Sequence, residues 1–127
     1  MKKNQGKRTK KKGKMKLTKS NNNYYVIARR GDTFSALSKE LGISVYKLAK
    51  YNERDAVEML TEGDVVYLCK KQKHVVKEYR GRYHVVKNGE SLYSIAQHYG
   101  VRLSCLYIWN GLGLDYAAKV GDKIYVY

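Results

Sequence analysis

The stretch Tyr83–Asn110, YHVVKNGESLYSIAQHYGVRLSCLYIWN, decides the fold of this chain. It opens with a β-branched and aromatic run that is typical of a short strand, and a turn at Gly89–Ser91 follows. Apolar residues then recur at the i, i+3, i+4 and i+7 spacing of one buried helix face, at Leu92, Ile95, Ala96 and Tyr99. Gly100 ends this helix, and a second short helical pattern runs to Trp109-Asn110. The stretch therefore predicts a strand, a turn and two helices.

The same pattern occurs 58 residues earlier in the chain, without a gap. Identical or conservative pairs fill the interior of the two copies: Ile27/Val85, Phe34/Leu92, Leu37/Ile95, Leu48/Leu106 and Val66/Ile124. Each copy closes with a Gly-Asp turn into a second strand, at 65–69 and 123–127. The order in each unit is thus β-α-α-β. We expect an α+β fold of two tandem units, each a two-stranded antiparallel sheet with two helices on one face.

Charge is concentrated at the N-terminus. The formal net charge is +15, yet residues 1–20 hold ten lysines or arginines and no acid, which leaves about +5 for the rest. Residues 1–23 are expected to form a disordered basic tail, because they cannot bury enough apolar surface to offset the entropy of ordering. The predicted units are residues 24–70 and 83–127, joined by a mostly charged linker at 71–82.

Several classes of protein are disfavoured by composition. No apolar run is long enough to cross a membrane, and no apolar segment follows the basic start as in a signal peptide. The protein therefore either stays inside the cell or is part of a longer secreted chain. Cys69 and Cys105 are too few for a disulfide scaffold, although a single bridge in an oxidising compartment is left open. The three histidines, His74, His84 and His98, show no metal-ligand grouping and are expected at the surface, so we expect no metal and no cofactor.

The segment Tyr83–Ala96, with Gly100-Val101, Trp109-Asn110 and Val120–Val126, resembles the LysM domain, the lysin motif of peptidoglycan- and chitin-binding proteins. Unit one resembles it through its own first strand and second helix. The resemblance implies a βααβ fold that binds N-acetylglucosamine polymers in a shallow groove between two loops. It also implies the C-terminal wall-binding region of a bacterial peptidoglycan hydrolase such as a glucosaminidase, located in the cell envelope or outside the cell.

Carried over by position, the resemblance assigns carbohydrate-binding residues to the loops that flank each groove. In unit one the first loop supplies Gly31, Asp32, Thr33 and Phe34. In unit two the first loop supplies Gly89, Glu90, Ser91, Leu92 and Tyr93, and the second loop supplies Leu112, Gly113, Leu114, Asp115 and Tyr116. Backbone groups beside a glycine can reach an acetamido group, because no side chain blocks them. Tyr93 lies off the buried stripe of its helix and is predicted to be exposed, and since unit one has Ser35 there, unit two is expected to bind better.

Structural roles compete with binding at several of these positions. Asp32 and Thr33 are expected to act as helix N-caps, and Asn52 and Asn110 are expected to cap the second helices. Many family members carry Asn-Pro after the second helix, whereas this chain has Asn52-Glu53 and Asn110-Gly111. The second loop of unit one is also unusually charged.

The function that these patterns favour is a monomeric, non-catalytic pair of glycan-binding modules that anchors a protein or a fused hydrolase to the wall. Glycosidases need two carboxylates that face each other across a cleft, and so small a domain offers no deep site for them. Two alternatives remain open. One is a structural or envelope-assembly module that binds protein partners. The other is an anionic-polymer binder, for example of nucleic acid, that acts through the basic tail.

Overall fold

The computed structural model describes residues 15–127. Most of the predicted basic tail, residues 1–14, lies outside the described residues. The strands are β1 (Thr18–Ser20), β2 (Asn23–Ile27), β3 (Val65–Tyr67), β4 (Tyr83–Val85) and β5 (Lys123–Tyr125), and the helices are α1 (Phe34–Leu41), α2 (Val45–Tyr51), α3 (Leu92–Tyr99) and α4 (Leu103–Asn110). The predicted βααβ order is confirmed twice. In this part of the chain no helix has the length and apolarity needed to cross a membrane.

Each unit has its own small core between two helices and an antiparallel strand pair. Strand β2 pairs with β3, and β4 pairs with β5. The core of unit one consists of Val26, Ala28, Phe34, Leu37, Leu48, Ala49, Leu60 and Val66. The core of unit two consists of Val75, Val86, Leu92, Ile95, Ala96, Val101, Leu106, Ile124 and Val126. The apolar stripes that the sequence predicts for α1 and α3 therefore face the cores.

The 58-residue repeat is visible in the registers of the two sheets. Tyr25 is paired with Tyr67, and Tyr83 with Tyr125. The ring centroids lie 5.6 Å apart in the first pair and 5.7 Å in the second, both edge to face. Aromatic cross-strand pairs of this kind stabilise short ladders that would otherwise be marginal.

An asparagine ties the second helix of each unit to the second strand. The Asn52 side-chain amide donates to the carbonyls of Leu48 (2.8 Å) and Tyr67 (2.9 Å), and its oxygen accepts the Tyr67 N–H at 2.7 Å. Asn110 makes the same three bonds at the corresponding positions of unit two, at 2.9, 3.0 and 2.7 Å. Asn52 is the C-cap of α2 as predicted, whereas Asn110 is the last residue of α4 and Gly111 is its C-cap; in both units the asparagine clamps the helix to the strand.

The prediction of disorder over residues 1–23 is wrong for residues 18–23. Strand β1 pairs antiparallel with β2, with Thr18 opposite Tyr25, so unit one has a three-stranded sheet instead of the two strands expected. The turn residues Asn21 and Asn22 have φ of 46° and 57°. Two positive φ angles are what a two-residue hairpin turn requires, and asparagine tolerates them better than most residues. The polar run therefore forms a turn.

The segment predicted as a linker, residues 71–82, packs against unit two. Val75 is 1% exposed and belongs to the core of that unit. Its N–H donates to the Tyr127 carbonyl at 2.7 Å, and the Gly81 N–H donates to Val126 at 2.8 Å. Because these bonds extend the β5 edge, the segment is a structural part of unit two.

Candidate functional site

The first loop of each unit is a glycine turn that leads into a capped helix. Gly31 and Gly89 have φ of +83° and +85°, and an added Cβ would meet no atom within 4 Å at either position. Glycine is therefore needed for the backbone conformation, and the space beside it stays open to a ligand. Thr33 and Ser91 are the N-caps of α1 and α3, each accepting the N–H of the residue three positions further on. The predicted capping role is confirmed for Thr33, whereas Asp32 precedes the N-cap of α1.

The acidic residue of each first loop, Asp32 or Glu90, stabilises the conformation of its own loop. The Asp32 carboxylate is 1% exposed and accepts from the backbone N–H (2.7 Å) and Nε (2.9 Å) of Arg29. Glu90 accepts the Lys87 N–H at 2.8 Å and lies 2.9 Å from His84 Nε2. Partial burial alone would raise the pKa of Glu90, but the bonds from His84 and Lys87 lower it. His84, predicted at the surface, has a side chain only 13% exposed.

The predicted glycan-binding residues differ widely in exposure. Phe34 and Leu92 are 0% and 4% exposed and belong to the two cores, so they can meet a ligand only through their backbone. Thr33, Glu90, Leu112 and Tyr116 are partly buried. Six of the predicted residues are exposed: Gly31, Gly89, Ser91, Gly113, Leu114 and Asp115. Among the predicted residues with a large apolar side chain, Leu114 is the most exposed, at 88%.

The second loop of unit two is fixed at its base and open at its tip. The Tyr116 hydroxyl donates to the Asp122 carboxylate, which raises the pKa of Tyr116 to about 12. Its ring packs against the core beside Leu112. Trp109, predicted to be core, is partly buried and stacks on His74 with ring centroids 6.4 Å apart. The exposed tip, residues 113–115, therefore lies between Leu112 and Tyr116, which are both packed against the core.

The two loops are joined in unit one but not in unit two. Thr33 and Met59 form an isolated antiparallel bridge between the first and second loops of unit one. Within residues 15–127, no hydrogen bond joins the loops at 89–93 and 111–118 of unit two. Unit two therefore leaves the space between its loops free of a backbone tie.

The prediction that Tyr93 is exposed is wrong, because its ring lies between the two units. The hydroxyl donates to the Asn52 carbonyl at 2.7 Å. The Arg54 guanidinium and the Lys71 ammonium lie 6.0 Å and 5.6 Å from the ring centroid. Burial raises the pKa of Tyr93 to about 12, although Arg54 opposes the shift. The first loop of unit two thus borders the second loop of unit one.

A charged network completes this contact between the units. The Lys71 side chain is 0% exposed, and its Nζ lies 2.6 Å from Glu53 Oε1 and 2.6 Å from Gln97 Oε1. Both carboxylate oxygens of Glu53 accept the Leu103 N–H at 3.0 Å. Because Arg102, the N-cap of α4, makes no side-chain capping bond, Glu53 of unit one caps this helix of unit two. Burial lowers the pKa of Lys71, and Glu53 opposes that shift.

Sequence reasoning missed this contact, although the repeat carries a signal for it. Three of the residues that make the contact lie at positions where the two copies differ in type: Glu53 against Gly111, Tyr93 against Ser35 and Gln97 against Lys39. Glu53 adopts φ +56° where its counterpart Gly111 has +60°. A non-glycine residue in this region is uncommon, and here its side chain is held by partners from unit two.

The cysteines and the potential metal ligands of residues 15–127 form no disulfide and no metal site. Cys69 is exposed, Cys105 is partly buried, and both thiols are free. Among residues 15–127, no group of three or more His, Cys, Asp or Glu side chains is placed to hold a metal ion.

Replacing Tyr93 with phenylalanine should weaken the alkaline destabilisation of the protein. Between pH 10 and about 12 the folded state keeps a proton on Tyr93 that the unfolded state has lost. The stability that this group contributes is thus complete below pH 10 and lost as the pH rises, by up to about 1.4 kcal/mol per pH unit. Urea unfolding at several pH values measures the slope. Tyr46→Phe, at a side chain 76% exposed, is the control, and equal slopes in both variants would refute the expectation.

Comparison with known proteins identifies the family and the fold class. The LysM domain family matches residues 26–68 and 84–126, more than half of the chain, and the chain belongs to this family. LysM domains are non-catalytic modules that bind peptidoglycan and related N-acetylglucosamine polymers. Both matched segments lie within the units defined above.

Similar proteins are much longer than this chain. An autolysin of Enterococcus faecalis is 29% identical over 126 residues, which cover 84% of this chain and 16% of that protein. The crystal structure of the spore cortex-lytic enzyme SleL of Bacillus cereus is 29% identical with a TM-score of 0.34, and covers 81% of this chain and 22% of that one. The SleL structure of Bacillus megaterium is 19% identical with the same TM-score, covering 80% and 22%. The chain thus spans about a fifth or less of each relative.

Proposed function

We propose that this chain binds the N-acetylglucosamine-containing glycan of peptidoglycan through the loops of unit two, residues 89–93 and 112–116. Membership of the LysM family supports the ligand class. The observation that carries the choice of unit is the pair of exposed loops, with Gly89 and Ser91 on one and Gly113 and Leu114 on the other, that no backbone bridge joins.

The chemistry of these loops suits an N-acetylated sugar. The open backbone beside Gly89 can exchange hydrogen bonds with the acetamido group, because no side chain covers it. Leu114, 88% exposed, offers an apolar surface to a sugar ring face or to the acetyl methyl group. Ser91 and Asp115 are exposed polar groups beside these elements and can meet hydroxyls.

Unit one is proposed to bind the same glycan more weakly. Its loops are tied by the bridge between Thr33 and Met59. Arg54, within its second loop, is engaged by Glu58 at 2.9 Å and by Asp64 at 3.2 Å. Bound glycan would have to displace or accommodate these pairs. Two unequal sites on one polymer still gain from avidity, because the second contact is intramolecular.

The biological role that we propose is anchoring. Since the chain corresponds to only 16% of the autolysin, we propose that such a module holds a catalytic domain, such as a glucosaminidase, against the cell wall or another extracellular glycan. The module itself supplies retention and no chemistry. An exclusively protein-binding role in envelope assembly is the alternative that the following experiment separates.

Titration with chitohexaose should shift the amide NMR signals of residues 89–93 and 112–116 at millimolar sugar. Leu114→Asp should weaken binding about fivefold, because it removes on the order of 1 kcal/mol of apolar contact and places a charge at the loop tip. Val57→Asp is the matched control, since Val57 is 90% exposed on the second loop of unit one. We expect it to change the affinity less than twofold.

Three outcomes distinguish the ideas. Selective loss in Leu114→Asp supports the unit-two site. Equal loss in both variants would show that both units bind alike. A folded protein whose amide signals stay unchanged, and which is not retained by purified peptidoglycan, would exclude glycan binding and leave the envelope-assembly alternative.

A further inference from the structure

A basic groove lies on the side of the molecule formed by the hairpin turn and the segment that joins the units. The polar and charged residues that line it are Asn21, Asn22, Lys73, His74, Arg80 and Arg102, with Gln72 and two valines at its floor. The lining contains no carboxylate. Three separate parts of the chain therefore converge on one groove of uniform charge sign.

Two guanidinium groups in this groove are held in place by backbone carbonyls. Arg80 Nε donates to the Val75 carbonyl at 3.2 Å, and Arg102 Nε donates to the Lys71 carbonyl at 2.9 Å. In each case the bond uses the inner nitrogen and leaves the terminal pair of nitrogens for a ligand. Because the side chain is already positioned, little rotamer entropy is lost when an anion binds.

The cations of the basic groove have no acidic partners. Within the described part of the chain, Lys73, Arg80 and Arg102 form no ion pair, whereas Arg29 and Arg54 are each paired with two carboxylates. Asn21 adds no negative charge, because its side chain is a neutral amide. This amide donates to the carbonyls of His74 (2.8 Å) and Gly100 (3.2 Å). The positive charge of the groove is therefore uncompensated by protein groups.

We propose that the basic groove binds phosphate groups of a phosphodiester polymer that carries no nucleobases, such as a polyol phosphate chain. Two guanidinium forks and an ammonium group offer more donors than one planar carboxylate accepts, whereas a tetrahedral phosphate presents oxygens in several directions. The one aromatic ring in the lining is the His74 imidazole, and one of its faces is stacked on Trp109, so the groove has no large aromatic platform on which a base would stack.

The length of the basic sequence before β1 favours a polymer over a single anion. Residues 1–14 hold eight lysines or arginines. In the sequence they precede β1, and the turn that follows β1 forms one wall of the groove. A polyanion can engage both, whereas a free phosphate can engage only one. The groove shares no residue with the loops proposed for glycan binding, so the two proposals fail independently.

Binding of poly(glycerol phosphate) to the full-length chain tests the proposal. Trp109 is the only tryptophan in the chain and stacks on His74, so its fluorescence reports the groove separately from the N-terminal residues. We expect a saturable change that Arg80→Gln with Lys73→Gln weakens about tenfold, with the slope of log K against log salt reduced by about 1.4, or 0.7 per lost phosphate contact. Arg30→Gln, at a side chain 92% exposed, removes a like charge elsewhere and should change the affinity less than twofold.

Control measurements separate a loss of groove binding from unfolding and from nonspecific attraction between charges. Thermal unfolding must be unchanged in the variants, which confirms that the fold is intact. A loss in Arg30→Gln equal to that in the groove variants, or an unchanged Trp109 signal during polymer binding, would overturn the groove. An oligodeoxynucleotide of equal phosphate number that binds as tightly would overturn the restriction to polymers without bases.

Discussion

Replacing Asn52 with alanine is expected to lower the free energy of unfolding by about 3 kcal/mol, the largest effect that we predict for a single side chain. Asn52 is 1% exposed, and its amide bonds join α2 to β3. Its oxygen also accepts from Gln97 of unit two at 3.1 Å. Alanine would leave the Tyr67 N–H and two other buried groups without partners, each at a cost of about 1–3 kcal/mol before relaxation.

Asn110→Ala is the matched control, because it breaks the same three bonds at the repeat position. Its surroundings are more open, and Tyr125 is 40% exposed, so water can replace the lost bonds. We expect a loss of about 1 kcal/mol in urea unfolding. Equal losses in the two variants would show that burial and the bond to Gln97 do not set the strength of the clamp.

The second large effect is expected at the ion pair between Glu53 and Lys71. Glu53→Gln should cost about 2 kcal/mol, because the ammonium of Lys71 stays fully buried without its counter-charge. The value lies below the usual range for buried pairs, since Glu53 is 28% exposed and the glutamine still offers an acceptor to the helix. Lys71→Met removes the buried charge, and we expect the double variant to be more stable than Glu53→Gln alone.

A double-mutant cycle over these variants measures the coupling, which we expect to be about 1–2 kcal/mol. Glu62→Gln serves as the control, because its pair with Arg30 spans 3.7 Å between side chains 64% and 92% exposed. Such a pair contributes at most a few tenths of a kcal/mol. The interpretation fails if Glu62→Gln and Glu53→Gln have the same effect. Hydrogen exchange should also show the two units opening together in the parent protein and separately in Glu53→Gln.

The fold was predictable because short-range patterns determine it. The spacing of Leu92, Ile95 and Ala96 predicts a helix and its buried face, and Gly100 predicts where the helix ends. The same pattern occurs in the other copy of the repeat. The hairpin at residues 18–23 was missed because composition outweighed turn chemistry. Asn21-Asn22 is a turn signal, but it follows a lysine-rich run that predicts disorder.

The candidate site was predictable only in part. Position in the loop assigns Gly89 and Ser91 to an exposed turn, and the structure shows them exposed. Tyr93 shows why the rest could not be predicted. Its place off the helix stripe indicates only that it faces away from its own core, and the helix pattern contains no information about a second domain on that side. Which surfaces of two small domains meet depends on complementary groups far apart in sequence, such as the side chains of Asn52 and Gln97.

The cap that Glu53 places on α4 has a consequence for how this pair of repeats can evolve or be engineered. Tandem modules are usually interchangeable, so that copies can be added, deleted or reordered. Here unit one supplies the carboxylate and unit two supplies the helix end that it completes. Reversing the order would bring Gly111 to the junction, where it has no carboxylate to offer Lys71. The two repeats are therefore coupled in a fixed order, and we expect additional copies to be tolerated at either end of the pair but to destabilise it when inserted between the two units.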